Sequence, residues 1–177
     1  MVQIKETVQY CKDLNPKNSE ENKEQEYDRR MRRYRLLKKT IATLPYWRYR
    51  NGKLKVHVIK AINLEKVDRK AENDSYVKLS VGNQKYVTKI KKNSKDPQWN
   101  ETFEFVVNDP VRELLIVKVR HKNTIGKDTL IGGVVLLTLT DIIDHNGEEL
   151  NYKLTLIEKD DNHEGSYLVV DLFYKEE

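Results

Sequence analysis

The chain has 177 residues, of which 38% are hydrophobic and 34% are charged, and its net charge is +5. This length fits one domain of ordinary size with an extension. The longest apolar runs, such as Val134–Leu137, are far shorter than the roughly 20 residues of a membrane span, so we expect no transmembrane helix. Charges interrupt every apolar stretch near the N-terminus, and we expect no secretory signal. The single cysteine, Cys11, excludes an internal disulfide and favours a cytoplasmic location.

The positive charge belongs to the N-terminal part of the chain. Residues 1–50 hold 13 Lys or Arg against 7 Asp or Glu, a net +6, whereas residues 51–177 hold 20 against 21, a net −1. We expect a flexible lead-in over residues 1–17, a basic helical extension over 18–50 and a domain over 51–177. The block of cations in the extension attracts phosphates of any origin.

A basic amphipathic helix is predicted from Ser19 to Leu44. Acidic residues lie near its start and cations toward its end, as the helix macrodipole favours, and Tyr27, Tyr34 and Ile41 lie on a narrow apolar stripe. Three roles stay open: packing on the domain or on a second copy, lying on a membrane surface, and nucleic-acid binding or nuclear import. The cations of the helix are Arg29, Arg30, Arg32, Arg33, Arg35, Lys38 and Lys39.

From residue 51 onward, apolar and polar residues alternate, which is the period of half-buried strands. The runs beginning at Leu54, Phe103 and Leu115 show this period, and so does the last run, Tyr167–Tyr174. Seven or eight such strands predict an all-β fold, an eight-stranded antiparallel β-sandwich. Turns are predicted at Asn51-Gly52, Gly82-Asn83, Asp96-Pro97, Asn108 to Pro110, Gly132-Gly133, Asn146-Gly147 and His163 to Gly165.

No catalytic constellation is found in the sequence. The four histidines lack metal-ligand spacing, and neither a nucleophile elbow nor a phosphate-binding glycine loop is present. Cys11 lies in the predicted lead-in, where a catalytic thiol is not expected. The segment Asp96–Glu101 is interpreted as structural, since its proline fixes a loop and its tryptophan can cover the end of a sandwich. We therefore expect a protein that is not an enzyme and requires no cofactor.

The domain resembles the C2 domain, the calcium- and phospholipid-binding sandwich of protein kinases C, synaptotagmins and phospholipases. The resemblance runs from about Gly52 to Tyr174 and rests on LKVHVIKAINL, DSYVKL, DPQWNETFEF, LIGGV and GSYLVVDLFY together. The terminal strand resembles the second, phospholipase-type, of the two circularly permuted topologies of the family. A hairpin strand over Tyr46–Arg50 would instead indicate the first topology.

The resemblance implies a calcium site between the first and third loops, held by about five carboxylates. Asp68 and Asp74 match the first-loop acids, but the third-loop positions carry no carboxylate. We therefore expect a degenerate site, calcium-independent or weakly binding, with Asp68, Asp74 and Asn123 as weak candidate ligands. The third-loop positions are His121, Asn123 and Thr129, and Asp128 lies one residue off register.

The resemblance also implies two membrane contacts. Val67 and Ile125 are apolar residues at expected loop tips, where surrounding cations suit an anionic membrane; alternatively, Ile125 folds back onto the sandwich. Lysines on two neighbouring strands of the family bind phosphoinositide headgroups, and the alternative here is an ordinary solvated lysine face. The loop cations are Lys66, Arg69, Lys70, Lys122 and Lys127, and the polybasic patch comprises Lys78, Lys85, Lys89 and Lys91.

The function expected from these features is peripheral membrane targeting or tethering. The protein would bind anionic phospholipids, including phosphoinositides, at the cytosolic face of a membrane and largely without calcium. The alternative is a protein-interaction scaffold, whose sandwich and N-terminal helix dock a partner or a second copy. Nucleic acid is not an expected partner, because the sandwich adds no basic charge overall.

Overall fold

The computed structural model describes residues 50–67, 71–139, 142, 150–157 and 164–177, without the side chains of 132–138 and 157. The predicted lead-in and basic helix, the residues Asp68, Arg69 and Lys70, and the predicted turn at Asn146-Gly147 lie outside this description. The chain divides into two compact units, Met1–Leu44 and Pro45–Glu177. The fold reported below belongs to the second unit. In the part described, no helix has the length and hydropathy that crossing a membrane requires.

The described residues form eight strands in two antiparallel four-stranded sheets, which confirms the predicted all-β sandwich. The first sheet has the strand order β4-β1-β8-β7 and the second has the order β3-β2-β5-β6. The last strand therefore lies between the first strand and β7. The strands are β1 (Gly52–Ile62), β2 (Ser75–Val81), β3 (Gln84–Val87), β4 (Gln98–Val107), β5 (Leu114–His121), β6 (Thr129–Thr138), β7 (Leu150–Ile157) and β8 (Ser166–Glu176).

The core lies between the sheets and includes the residues that the alternation in β1, β5 and β8 predicted. Leu54, Val56 and Val58 of β1 are fully buried, as are the corresponding residues of β5 and β8. Burying one such side chain stabilises the fold by about 1.5–3 kcal/mol. At the edge where β3 meets β4, Tyr86 stacks on Phe103 with ring centroids 5.5 Å apart.

Two of the predicted turns are wrong. Gly52 begins β1 and pairs with Val107 and Glu176. A Cβ atom at this glycine would collide with the carbonyl oxygen of Lys175, so the residue serves a close strand contact. Gly132-Gly133 lies inside β6, where the pairing with β5 shifts register. Glycine tolerates the backbone of such a bulge, which explains why a strand contains a turn-like dipeptide.

The segment Asp96–Glu101 has the structural role predicted for it. Trp99 is 4% exposed and belongs to the core. Oδ1 of Asp96 accepts the backbone N–H of Asn63 at 2.6 Å, and Oε1 of Glu101 accepts that of Lys89 at 2.9 Å. This segment therefore supports two neighbouring loops through its carboxylates.

Candidate functional site at the loop end and on the second sheet

Three connections meet at one end of the sandwich: the first loop (63–74), the second loop (88–97) and the third loop (122–128). Backbone hydrogen bonds join them in pairs. The N–H of Ser94 donates to the carbonyl of Asn73 at 3.0 Å, and the N–H of Lys122 donates to the carbonyl of Asp74 at 2.7 Å. The loop end is therefore one connected structure.

The first loop is held by a buried asparagine. Asn73 is fully buried; its Oδ1 accepts the N–H of Val67 at 3.1 Å and its Nδ2 donates to the carbonyl of Glu65 at 2.8 Å. These two hydrogen bonds compensate for the cost of removing the Asn73 amide from water. The bond draws Val67 inward, where it packs against the core, half-buried. The expectation of an exposed apolar tip at Val67 is therefore wrong.

Asp74 lies at the base of the first loop and already has protein partners. Its Oδ1 accepts the N–H of Asn93 in the second loop at 2.8 Å. Its own N–H donates to Nδ1 of His121 at 3.0 Å, so that nitrogen is an acceptor. Asp68, the other predicted first-loop ligand, lies outside the described residues.

The third loop is organised around Asp128, the acid that lay one residue off register. The hydroxyl of Tyr76 donates to its Oδ2 at 2.7 Å, and the N–H of Asn123 donates to its Oδ1 at 3.1 Å. The ammonium of Lys122 lies 3.3 Å from the same Oδ1. The hydrogen bond from Tyr76 and the charge of Lys122 hold the pKa of Asp128 below its ordinary value. Burial, assisted by the Asp128 carboxylate, raises the pKa of Tyr76 to about 12.

The predicted third-loop positions are likewise bonded to the protein. Nδ2 of Asn123 donates to the carbonyl of Lys127 at 2.6 Å and to Oγ1 of Thr129 at 3.1 Å. His121 bonds Asp74, as described above. Among the residues that the structure describes, no group of three or more His, Cys, Asp or Glu side chains could hold a metal ion.

Ile125 protrudes from the tip of the third loop. It is 89% exposed, so the alternative in which it folds back onto the sandwich is wrong. Lys127, two residues further on, is exposed as well. Two other predicted loop cations have carboxylate partners: Lys66 pairs with Glu72 at 2.6 Å, and Lys122 pairs with Asp128.

The outer face of the second sheet is cationic. Val77 and Leu79 enter the core, so the alternation of β2 directs Lys78 outward. Lys85 of β3 lies opposite Ser80 and therefore shares this face. Two predicted patch residues remain. Lys89 follows β3 and is exposed, whereas Lys91 is half-buried and its backbone forms an isolated antiparallel β-bridge with Ser75.

Sequence reasoning missed two cations of this face. Lys118 and Arg120 of β5 lie opposite Lys78 and Tyr76 of β2. The alternation of buried Val117 and Val119 could have placed them outward, but only the strand order brings them beside Lys78. Lys118 and Lys78 are like charges directly opposite each other, which by itself disfavours a sheet. Arg120 also supports the third loop, because its Nη1 donates to the backbone carbonyl of Asp128 at 3.1 Å. Lys78, Lys85, Lys118 and Arg120 are called the cationic face below.

The comparisons with known proteins point to one family. The family pattern of the C2 domain matches residues 52–154. Synaptotagmin-5 of Arabidopsis thaliana is 38% identical over 94 residues, which are 52% of this chain and 16% of that protein. Synaptotagmin-2 of the same plant is 39% identical over 84 residues, 46% of this chain and 16% of that protein. The chain thus corresponds to a small part of these relatives.

Solved structures agree with this match. A C2 domain of plant Extended Synaptotagmin 1 superposes with a TM-score of 0.62 at 28% identity, covering 73% of this chain and 98% of that one. A calcium-bound pair of C2 domains from Extended-Synaptotagmin 2 gives a TM-score of 0.61 at 24% identity, and the match covers 71% of this chain and 46% of that chain. This second match shows a likeness of fold alone. Since the family pattern spans more than half of the chain and the sandwich matches a solved member, this chain belongs to the C2 domain family.

Proposed function

We propose that this C2 domain attaches peripherally to anionic phospholipid membranes at their cytosolic face, as a targeting or tethering module without enzymatic activity. The exposed Ile125 at the tip of the third loop is the observation that carries the proposal. An isoleucine gains roughly 2 kcal/mol when it leaves water for an apolar environment. Membership of the C2 family supports the proposal, because phospholipid binding is the function that the resemblance implied.

Attachment is largely independent of calcium. A calcium ion needs six to eight oxygens and several carboxylates, and the described loop residues do not fit it. Asp128 is bonded by Tyr76 and Asn123 and paired with Lys122, whose ammonium would repel a second cation. Asp74 bonds Asn93. The internal bonds of the third loop hold Ile125 at the tip without a metal.

The cationic face contributes the electrostatic part of binding and receives phosphoinositide headgroups. The sequences of β2, β3 and β5, which supply its four cations, contain no Asp or Glu. A cation near an anionic leaflet contributes about 1 kcal/mol to attachment. We also propose that the three-part organisation expected from the sequence holds, with residues 1–17 and 18–50 preceding the C2 domain.

Sedimentation with vesicles tests the proposal. The full chain is expected to pellet with vesicles of phosphatidylcholine and phosphatidylserine, less so as salt increases, and equally with calcium or with a chelator. Ile125→Asp should weaken binding roughly tenfold or more, since it puts a charge where an apolar contact was. Val106→Asp is a matched control, because Val106 is 45% exposed and lies on the outer face of the first sheet.

The outcomes separate the candidate functions. Unchanged binding by Ile125→Asp would exclude insertion of the third loop. A wild-type chain that does not pellet with anionic vesicles would exclude membrane attachment altogether. That result would favour the alternative, a scaffold that docks a protein partner or a second copy of the chain.

A further inference from the structure

The tip of the third loop carries a hydroxyl group beside its apolar residue. Thr124 directly precedes Ile125, and both residues are exposed. A second threonine, Thr129, begins β6 at the end of the loop and is half-buried, and its Oγ1 accepts a hydrogen bond from Nδ2 of Asn123 at 3.1 Å. Thr124 therefore supplies the accessible hydroxyl of the tip.

The hydrogen bonds of the third loop hold its base and leave its tip free. The N–H of Asn123 donates to Oδ1 of Asp128 at 3.1 Å, and its Nδ2 donates to the carbonyl of Lys127 at 2.6 Å. Within the segment 124–126 that these bonds enclose, Gly126 has a φ of 84°, and a Cβ atom there would have nothing within 4 Å. The tip thus projects into open space, where an enzyme can reach it while the base stays bonded.

The surroundings of Thr124 differ from those of the other exposed threonines. Among the side chains that the structure describes, the others are Thr102 in β4 and Thr155 in β7. Both belong to strands, whose backbones are paired in a sheet. Within three residues, Thr102 has a glutamate on each side, and Thr155 has a lysine before it and a glutamate after it.

The neighbours of Thr124 are cationic. Lys122 precedes it by two residues and Lys127 follows it by three, and no acid lies within three residues on either side. Arg120 lies four residues before it. Protein kinases select their substrates by such charge patterns, and an accessible hydroxyl between lysines suits a kinase whose substrate groove is acidic. Exposure, loop position and charge coincide at this threonine.

We propose that Thr124 is a phosphorylation site for a protein kinase that selects basic sequences, and that the phosphate releases the domain from anionic membranes. Oγ1 of Thr124 attacks the γ-phosphorus of ATP and forms an O–P bond, while the bond from that phosphorus to the β–γ bridging oxygen breaks. ADP leaves, and the hydroxyl proton passes to a base of the kinase. This inference rests on the proposed function, because release requires that the third loop contacts the membrane.

The added charge accounts for the release. Lys122 and Lys127 against Asp128 give residues 122–128 a net charge of +1. A phosphate adds about −1.5 to −2 at pH 7, so the charge of the loop changes sign to about −0.5 to −1. An anionic loop is repelled by an anionic leaflet, and the phosphate lies on the residue next to Ile125. Attachment should therefore weaken roughly tenfold or more, at about 1 kcal/mol for each charge near the leaflet.

A chain synthesised with phosphothreonine at position 124 tests the release directly. In sedimentation with vesicles of phosphatidylcholine and phosphatidylserine, this full chain should bind roughly tenfold more weakly than the unmodified chain. The matched control carries phosphothreonine at position 102, because Thr102 is exposed on the outer face of the first sheet. It adds the same charge away from the third loop, so attachment should change less than about twofold. Thermal unfolding of both chains checks that the fold is intact.

A kinase reaction tests whether the folded chain is a substrate. The full chain is incubated with ATP, magnesium and the catalytic domain of protein kinase C, and mass spectrometry locates the phosphate. We expect phosphate at Thr124, and the peptide that spans the tip should stay unmodified in Thr124→Ala. Absence of phosphate from position 124, wherever else the chain is modified, would overturn the assignment of the site.

Failure of this inference differs from failure of the proposed function. If the unmodified chain binds the vesicles and phosphothreonine at 124 weakens binding no more than phosphothreonine at 102, release through Thr124 is overturned and membrane attachment stands. If the unmodified chain does not bind the vesicles, the proposed function and the release are both overturned.

Discussion

The hydroxyl of Tyr76 donates a 2.7 Å hydrogen bond to the carboxylate of Asp128, which joins β2 to the third loop across 52 residues of sequence. The same carboxylate pairs with Lys122 and accepts the backbone N–H of Asn123. A tyrosine, a lysine and a backbone amide thus order the loop from within. We interpret this network as the reason why the loop can present Ile125 without a bound cation.

Removing the tyrosine hydroxyl should loosen this network. Tyr76→Phe is expected to lower the free energy of unfolding by about 1.5 kcal/mol, the low end of the usual contribution of a hydrogen bond to a charged partner, because both side chains are half-buried. Urea unfolding measures the change. Tyr86→Phe, which keeps the ring that packs on Phe103 and Phe105, is the matched control. Equal stability of the two variants would show that the Tyr76 hydroxyl contributes nothing.

Acid should weaken the same network. The pKa of Asp128 is lowered below its ordinary value of 3.8, first by the hydrogen bond from Tyr76 and then by Lys122. The ionised carboxylate therefore contributes stability that is present above pH 3.8 and is lost as the pH falls through the lowered pKa. Asp128→Asn should remove this part of the acid dependence of unfolding, and Glu104→Gln, an exposed residue of β4, should keep it. Identical acid profiles for the two variants would contradict the assignment.

The stability of the fold at alkaline pH should depend on Tyr76. Burial and the Asp128 carboxylate raise the pKa of its phenol to about 12, so the neutral form is favoured in the folded state. The stability linked to this group is complete below the ordinary tyrosine pKa of about 10 and is lost as the pH rises toward 12. Alkaline absorbance titration should show one fewer late-titrating phenol in Tyr76→Phe. A late-titrating fraction unchanged by the substitution would mean that Tyr76 ionises normally.

Calcium should have little effect on the chain. Because both carboxylate oxygens of Asp128 and Oδ1 of Asp74 already accept hydrogen bonds and Lys122 adds a positive charge, we expect no saturable calorimetric signal at micromolar calcium. Any binding should be weaker than about 1 mM, the low end of calcium sites. Saturable binding in the micromolar range would overturn the degenerate site, and calcium-dependent pelleting with vesicles would overturn calcium-independent attachment.

Reversing charges on the second sheet should abolish any preference for phosphoinositides. The paired change Lys78→Glu and Lys89→Glu removes two cations, each worth about 1 kcal/mol near an anionic surface, so vesicle affinity should fall roughly thirtyfold or more. Lys55→Glu with Lys60→Glu, two exposed lysines of β1, is the control with the same change in net charge. Equal losses in both pairs would mean that net charge, not the position of Lys78 and Lys89, determines binding. Lys118→Glu extends the test to a cation that strand pairing places opposite Lys78.

The strands and the core follow from the order of residues along the chain. Alternation makes one face of each strand apolar, and the hydrophobic effect must bury that face, so Leu54, Phe105 and Leu172 could be assigned to the interior without coordinates. The lack of carboxylates at the expected third-loop positions is equally visible in the sequence. Local sequence is enough for such features, because each depends on residues that are near one another in the chain.

Which distant residues meet depends on the folded arrangement of the strands. Val67 and Ile125 are both apolar loop residues, yet a buried asparagine turns the first toward the core and the second stays exposed. Asp128 has its tyrosine partner on β2, and Lys118 belongs to the cationic face through the order of the strands. These relationships depend on register and on contacts between segments far apart in sequence, and local periodicity carries no information about either.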